Sequence, residues 1–175
     1  MLEARSFLKD LSFARKILAE HNAVFKGEYE IHNFIFAPKN PTKTLSDEFL
    51  RLRLIPKNIW EEKSVVVAIK QTELKNIGKN STILLKKEFD TEAEARAYIE
   101  ENLLDKFVYD FEYSCIGWQY NMGDDQVDLE EIEGLYSIEV KSITEEGIKH
   151  LVDVFNLKNV IIGPTVVAVK RLLNK

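Results

Sequence analysis

Within residues 49–55 the leucines and arginines alternate: Leu50, Leu52 and Leu54 take one parity, Arg51 and Arg53 the other. Only an extended strand, whose side chains point to opposite faces in turn, sorts such a run into an apolar and a cationic face. The segment must bury leucines on one side and find water, carboxylates or a bound anion for two guanidinium groups on the other. On an open sheet the arginines are solvated. If the sheet curls into a barrel they point into a confined space, where the fork of a guanidinium suits phosphate.

The rest of the chain offers many partners for that strand. Residues 24–37 alternate, with Tyr29, Ile31, Asn33 and Ile35 on one face and Glu28, Glu30, His32, Phe34 and Phe36 on the other. Pro38, Asn40 and Pro41 end that run. Residues 64–70 are β-branched and short, residues 82–89 read as a further strand, and 74–80 as the turn between them. Residues 106–120 carry Phe107, Tyr109, Phe111, Tyr113, Trp118 and Tyr120 and predict one or two strands. Residues 121–125 predict a hairpin loop, and 126–130 and 137–142 two more strands.

Helical spacing appears at 9–21, at 145–156 and, opened by Pro164, through Leu173. Thr91 and Glu94 form a capping box that starts a helix running to about Leu104. Most connections between strands are too short for crossovers, so the pairing is mainly antiparallel and the class is α+β.

A length of 175 residues suits one domain spanning 1–175. The net charge of −5 argues against a nucleic-acid surface, and no apolar run approaches the roughly 20 residues a bilayer needs. The first five residues lack the apolar core of a signal peptide. The lone Cys115 excludes an intrachain disulfide and suits a reducing compartment, so a soluble, cytoplasmic protein is expected. His21, His32 and His150 show no metal-ligand spacing. Phosphate-cradling glycine loops, a nucleophile elbow and zinc motifs are absent from the sequence. No feature of it sets an oligomeric state.

Other charges could join Arg51 and Arg53. Lys70 ends the next strand, and Glu3 and Arg5 share one face of the first. Glu130, Glu133 and Glu139 supply the opposite sign from the late strands. Cations that clamp phosphate, facing carboxylates that hold a divalent metal, are the usual arrangement for phosphoryl transfer. Taken singly, each is a charge at a strand end or in a solvated acidic loop.

The order of elements and residues from about 2 to 142 resembles the CYTH family of triphosphate tunnel proteins, which includes class IV adenylate cyclases and thiamine triphosphatases. Glu3-Ala4-Arg5-Ser6-Phe7 resembles the second half of its opening E-x-E-x-K strand. Leu50-Arg51-Leu52-Arg53 resembles its L-R-x-R strand, and Val67-Ala68-Ile69-Lys70 the strand whose lysine reaches phosphate. Val127-Asp128-Leu129-Glu130, Glu133-Gly134-Leu135 and Ile138-Glu139-Val140 resemble its late acidic segment.

The resemblance implies an antiparallel eight-stranded barrel, a tunnel with flanking helices. Its ligand would be a polyphosphate or nucleoside triphosphate, held by Arg5, Arg51, Arg53 and Lys70. Mg2+ or Mn2+ would sit on Glu3, Glu130 and Glu139 and support a triphosphatase or cyclase reaction. The sequence also departs from the pattern. Met1 stands in place of the first glutamate, Arg5 of a lysine and Lys141 of the final glutamate, while residues 82–84 and 109–116 lack the expected cations. A binding module without catalysis is therefore the second reading, and an aromatic-lined barrel with a different ligand the third. Four or more cations converging inside the barrel favour polyphosphate.

Overall fold

The structure, a computed structural model, describes residues 1–61, 63–76, 79–161 and 163–175. Its strands are β1 (Leu2–Leu8), β2 (Val24–Pro38), β3 (Glu48–Lys57), β4 (Val65–Leu74), β5 (Lys79–Phe89), β6 (Phe107–Met122), β7 (Asp125–Ile132) and β8 (Leu135–Ser142). They pair antiparallel around a ring, β1-β5-β4-β3-β2-β6-β7-β8, and close as a barrel. Among the described residues there are four helices: α1 (Ser12–Glu20), α2 (Glu92–Asn102), α3 (Glu145–Val154) and α4 (Thr165–Leu172).

One seam is narrow. Among the described residues β1 meets β5 through Leu2↔Asn80 and Glu3↔Lys79, whereas all seven residues of β1 pair with β8. Past that seam, the Arg5 carbonyl accepts a 2.8 Å hydrogen bond from the Ile161 amide, so the segment before α4 covers the β1 edge that β5 leaves open.

The leucines of β3 determine which way its arginines point. Leu50 and Leu52 are fully buried on the outside of the barrel, in a cluster with Val65, Val67, Phe107 and the α2 residues Ala95 and Ile99. Burying each such leucine contributes about 1.5–3 kcal/mol. Strand alternation then turns Arg51 and Arg53 inward. A second outer cluster packs α1 and α3, through Leu11, Ala14, Leu18, Ile148 and Leu151, against Val127, Leu129, Ile138 and Val140. The opposite parity of β7 and β8 thereby faces inward as Asp128, Glu130, Glu139 and Lys141.

The third cluster lies inside. Ile31, Phe49, Tyr113, Cys115 and Ile132 from the strand interiors pack with Val166 and Val169 of α4, which closes part of the barrel with apolar side chains.

Several boundaries differ from the expectation. The stretch expected as one or two strands over 106–120 is one 16-residue strand, β6, which begins at Phe107 and is paired along its length with β2. The loop expected over 121–125 shrinks to Gly123 and Asp124, because Met122 already pairs with Asp125 and Gly123 takes a φ of 64°. Of the turn expected over 74–80, residues 77 and 78 lie outside the described residues; Leu74 ends β4 and Lys79 begins β5. The capping box is present in both halves, with the Glu94 amide donating to Thr91 Oγ1 and the Thr91 amide donating to Glu94 Oε2. Pro164 precedes the last helix as its cap rather than forming its first turn.

Among the described residues, no helix is long and apolar enough to cross a membrane.

Candidate functional site

The barrel encloses a cavity of about 540 Å3, within the size range of small-molecule sites. The seven residues that the resemblance assigns to phosphate or metal all line it: Glu3, Arg5, Arg51, Arg53, Lys70, Glu130 and Glu139. The lining also holds Lys79, Lys86, Lys141, Glu61 and Asp128, giving seven cations and five carboxylates among the described residues. Glu133 instead sits on the β7–β8 turn, where Lys175 Nζ donates to it at 2.8 Å.

The two signs are sorted onto opposite walls. From β3, β4 and β5 come Arg51, Arg53, Lys70, Lys79 and Lys86, with Thr72 and Ser81, and no carboxylate among their described lining residues. From β7, β8 and β1 come Asp128, Glu130, Glu139 and Glu3, together with Arg5 and Lys141. The basic wall is oriented by its neighbours: Arg53 Nε donates to Asn33 Oδ1 at 2.9 Å, and Asn33 is fully buried on β2.

The acidic wall is a closed charge network. Arg5 forms an ion pair with Glu130, donates to Ser137 Oγ at 2.6 Å, and lies 3.0 Å from Glu139 Oε1. Lys141 Nζ lies 2.6 Å from Asp128 Oδ2 and 3.1 Å from Glu139 Oε2. Across the seam, Lys79 Nζ is 3.2 Å from Glu3 Oε2 and 3.2 Å from Thr165 Oγ1. Gln126 Nε2 donates to Asp128 at 2.9 Å and Gln119 Nε2 at 3.2 Å.

Tyr29 completes the acidic wall through a glycine. Gly117 pairs with Tyr29 on one side and with Glu130 on the other. A Cβ there would fall 2.0 Å from the Tyr29 ring, so glycine alone lets that ring cross β6 and donate its hydroxyl to Glu130 Oε1 at 2.7 Å.

Burial and charge shift several of these groups. Burial works against the Glu139 carboxylate, but Arg5 and then Lys141 and Lys79 overcome it and hold Glu139 well below the usual carboxylate range. Asp128 moves upward because burial outweighs the opposing pull of Lys141. Burial also pushes the Cys115 thiol up, so it stays protonated and packed rather than nucleophilic.

On the other wall, burial and then Arg51 pull the Lys70 ammonium down to about 7, with Arg53 and Lys79 adding to Arg51 against a counter-pull from Glu3. An unfolded lysine titrates near 10.4, so the unfolded chain holds more protons across the window between these values, and Lys70 lets stability rise with pH there. The cost of charging Lys70 in the empty barrel is full below about pH 7. A bound anion would restore its proton. Tripolyphosphate binding at about pH 8 should therefore take up a fraction of a proton approaching one, seen as a buffer-dependent calorimetric heat. Lys70→Met should remove that component, and an unchanged uptake in this variant would contradict the assignment.

The carboxylates expected to hold Mg2+ or Mn2+ do not form an open ligand set. Glu3 is engaged by Lys79, Glu130 by Arg5, and Glu139 by Arg5 and Lys141. Among the described residues, no three histidine, cysteine, aspartate or glutamate side chains gather so as to hold a metal ion. As they stand, these residues do not fit a divalent ion.

Sequence reasoning missed Lys79 and Lys86, which replace cations thought absent from β5. Their signal was hidden by a bulge. Ile69 pairs with Leu85 and Lys70 with Ile83, leaving Leu84 as an extra residue, so the inward parity changes between Ser81 and Lys86.

The ring order, the polar interior and the sorted walls define a CYTH-type tunnel fold. Solved structures agree. The protein PH1819 from Pyrococcus horikoshii OT3 superposes with a TM-score of 0.70 at 18% identity, covering 99% of this chain and 98% of that one. A candidate adenylate cyclase from Vibrio parahaemolyticus gives 0.66 at 12% identity, covering 99% and 97%. A candidate adenylyl cyclase from Hippeastrum, HpAC1, described as having dominant triphosphatase activity, gives 0.62 at 16% identity, covering 98% and 96%. The chain has the CYTH fold that these neighbours share. No family model and no curated protein matches the sequence.

Proposed function

We propose that the tunnel binds a linear triphosphate, either inorganic or carried by a nucleotide. The observation that carries this reading is the basic wall: the described lining residues of β3, β4 and β5 supply five cations and no carboxylate. Burial first, and then the neighbouring Arg51, disfavour the charged Lys70 ammonium, and a polyanion would offset that cost while accepting charge-assisted hydrogen bonds. The neighbours described as an adenylate cyclase and a triphosphatase support the same ligand class.

Hydrolysis or cyclisation would require stabilisation of the charge that builds on the phosphoryl group and activation of a nucleophile. The acidic wall that would carry Mg2+ or Mn2+ for this purpose is bridged by Arg5 and Lys141. Binding is therefore the better supported role, with triphosphatase or cyclase turnover weak beside it.

Thermal unfolding tests the reading. A ligand at about one hundred times its Kd adds about 2.7 kcal/mol of stability. For a chain of this size that corresponds to a rise of roughly 5–10 °C. Tripolyphosphate should produce such a rise. An unchanged melting temperature at millimolar tripolyphosphate, with and without Mn2+, would contradict polyphosphate as the ligand.

A further inference from the structure

Each carboxylate of the acidic wall is already matched by a cation that the chain itself supplies. Arg5 spans Glu130 and Glu139, Lys141 spans Asp128 and Glu139, and Lys79 holds Glu3. The contacts of Lys141 are short, 2.6 Å and 3.1 Å, and place its ammonium against one oxygen of Asp128 and one of Glu139. To enter, a divalent ion would have to expel the ammonium or sit against it with like charge. Arg5 blocks the Glu130–Glu139 pair in the same way, and the Tyr29 hydroxyl occupies the remaining Glu130 oxygen.

We infer that Lys141 and Arg5 take the place of a divalent metal in this tunnel, so that it captures the triphosphate as a metal-free polyanion. This rests on the proposed triphosphate ligand and narrows it to the uncomplexed form. Fixed cations differ from a bound ion in two respects. They are covalently part of the barrel, so the site is charged and ready without a cofactor. They also distinguish ligands: Mg2+ complexed to a triphosphate cancels part of the negative charge that the basic wall of Arg51, Arg53, Lys70 and Lys86 would otherwise meet. Metal in solution then competes for the ligand instead of assisting its binding.

Lys141 is the specificity element. The shorter of its contacts is to Asp128, which is buried and also held by Gln126 and Gln119. Without the ammonium, Asp128 and Glu139 would face each other as two carboxylates with no cation between them, the minimal seat for a hard divalent ion.

Two measurements on the whole protein test the inference. In the first, tripolyphosphate is titrated calorimetrically in EDTA and again with millimolar Mg2+. The affinity in EDTA should exceed that in Mg2+ by more than about threefold, because Mg2+ draws the ligand into a complex of lower charge, and equal or tighter binding with Mg2+ would overturn the inference. Binding seen with Mg2+ and lost in EDTA would overturn the inference while leaving the triphosphate reading in place. Binding in neither condition would overturn that reading itself.

In the second, the electron paramagnetic resonance signal of free Mn2+ is followed as protein is added. Stoichiometric wild-type protein should leave the signal intact, and Lys141→Glu should attenuate it. Lys141→Gln, which adds no charge, serves if the glutamate variant does not fold. Capture of Mn2+ by the wild-type protein would overturn the inference, as would folded Lys141 variants that leave the signal as intact as wild type does.

Discussion

Replacing Arg51 and Arg53 together by alanine should abolish the stabilisation of the protein by tripolyphosphate. Both side chains leave β3 on its inward face, because Leu50 and Leu52 are held on the outer face by α2. Each guanidinium can offer paired N–H groups to phosphate oxygens, and hydrogen bonds to charged groups contribute about 1.5–3 kcal/mol apiece. Losing two such side chains should weaken binding by roughly a hundredfold to ten-thousandfold. Arg51→Lys with Arg53→Lys keeps the charge but not the fork, and should fall between wild type and the alanine pair. The alanine pair should also release Lys70, since Arg51 is the largest charged influence lowering it and Arg53 adds to the effect. Its titration should move upward from about 7 toward the ordinary lysine range. Calorimetric titration of tripolyphosphate into the three proteins reads the affinities, and unchanged binding in the alanine pair would remove the basic wall from the account.

The second large effect is on folding. Glu139 is the joint of the acidic wall, touching Arg5 at 3.0 Å and Lys141 at 3.1 Å from its two oxygens. Glu139→Gln keeps the shape but leaves Arg5 and Lys141 short of a carboxylate in a buried network. Breaking a buried pair from one side typically costs about 3–5 kcal/mol. The melting temperature should therefore fall by roughly 6–20 °C. A second change, Lys141→Gln in the same chain, should recover part of the loss by removing one of the stranded charges. A melting temperature within about 2 °C of wild type for Glu139→Gln would contradict the network.

Acid sensitivity should follow the same group. Glu139 titrates lower in the folded protein than in the unfolded chain, so the stability it adds is fully present above the unfolded value, about 4.3. That stability is lost as the pH falls through the depressed folded value. Asp128 is shifted the other way by burial and opposes this trend. Glu139→Gln should accordingly flatten the acid limb of the stability curve relative to wild type.

What the sequence revealed depended on unbroken periodicity. Residues 49–55 gave both the strand and the direction of its arginines, since three leucines and two arginines cannot share a face. The capping box at Thr91 gave the start of α2 because its two hydrogen bonds are local in sequence. Glu3, Arg5, Glu130 and Glu139 were found through resemblance and spacing, and all of them line the cavity.

What stayed hidden arises from contacts between distant segments or from broken registers. A bulge at Leu84 moves Lys86 onto the same face as Lys79 and Ser81, which no single period-two reading of β5 can do. The Tyr29–Gly117–Glu130 trio joins three strands, and nothing local to Gly117 announces it. Lys141 looked like a lost carboxylate; it becomes a fixed counter-ion once β7 and β8 set it beside Asp128 and Glu139. The closing role of α4 is equally non-local, since Val166 and Val169 meet residues more than a hundred positions earlier in the chain.

The central claim is that a triphosphate lies along the wall formed by β3, β4 and β5. A crystal structure of the protein with tripolyphosphate, grown in EDTA near neutral pH, tests it most directly. The account predicts phosphate density inside the barrel, within hydrogen-bond distance of Arg51, Arg53 and Lys70, with Arg5 and Lys141 still on their carboxylates. An empty tunnel at saturating ligand, or phosphate density confined to the outer surface, would contradict it.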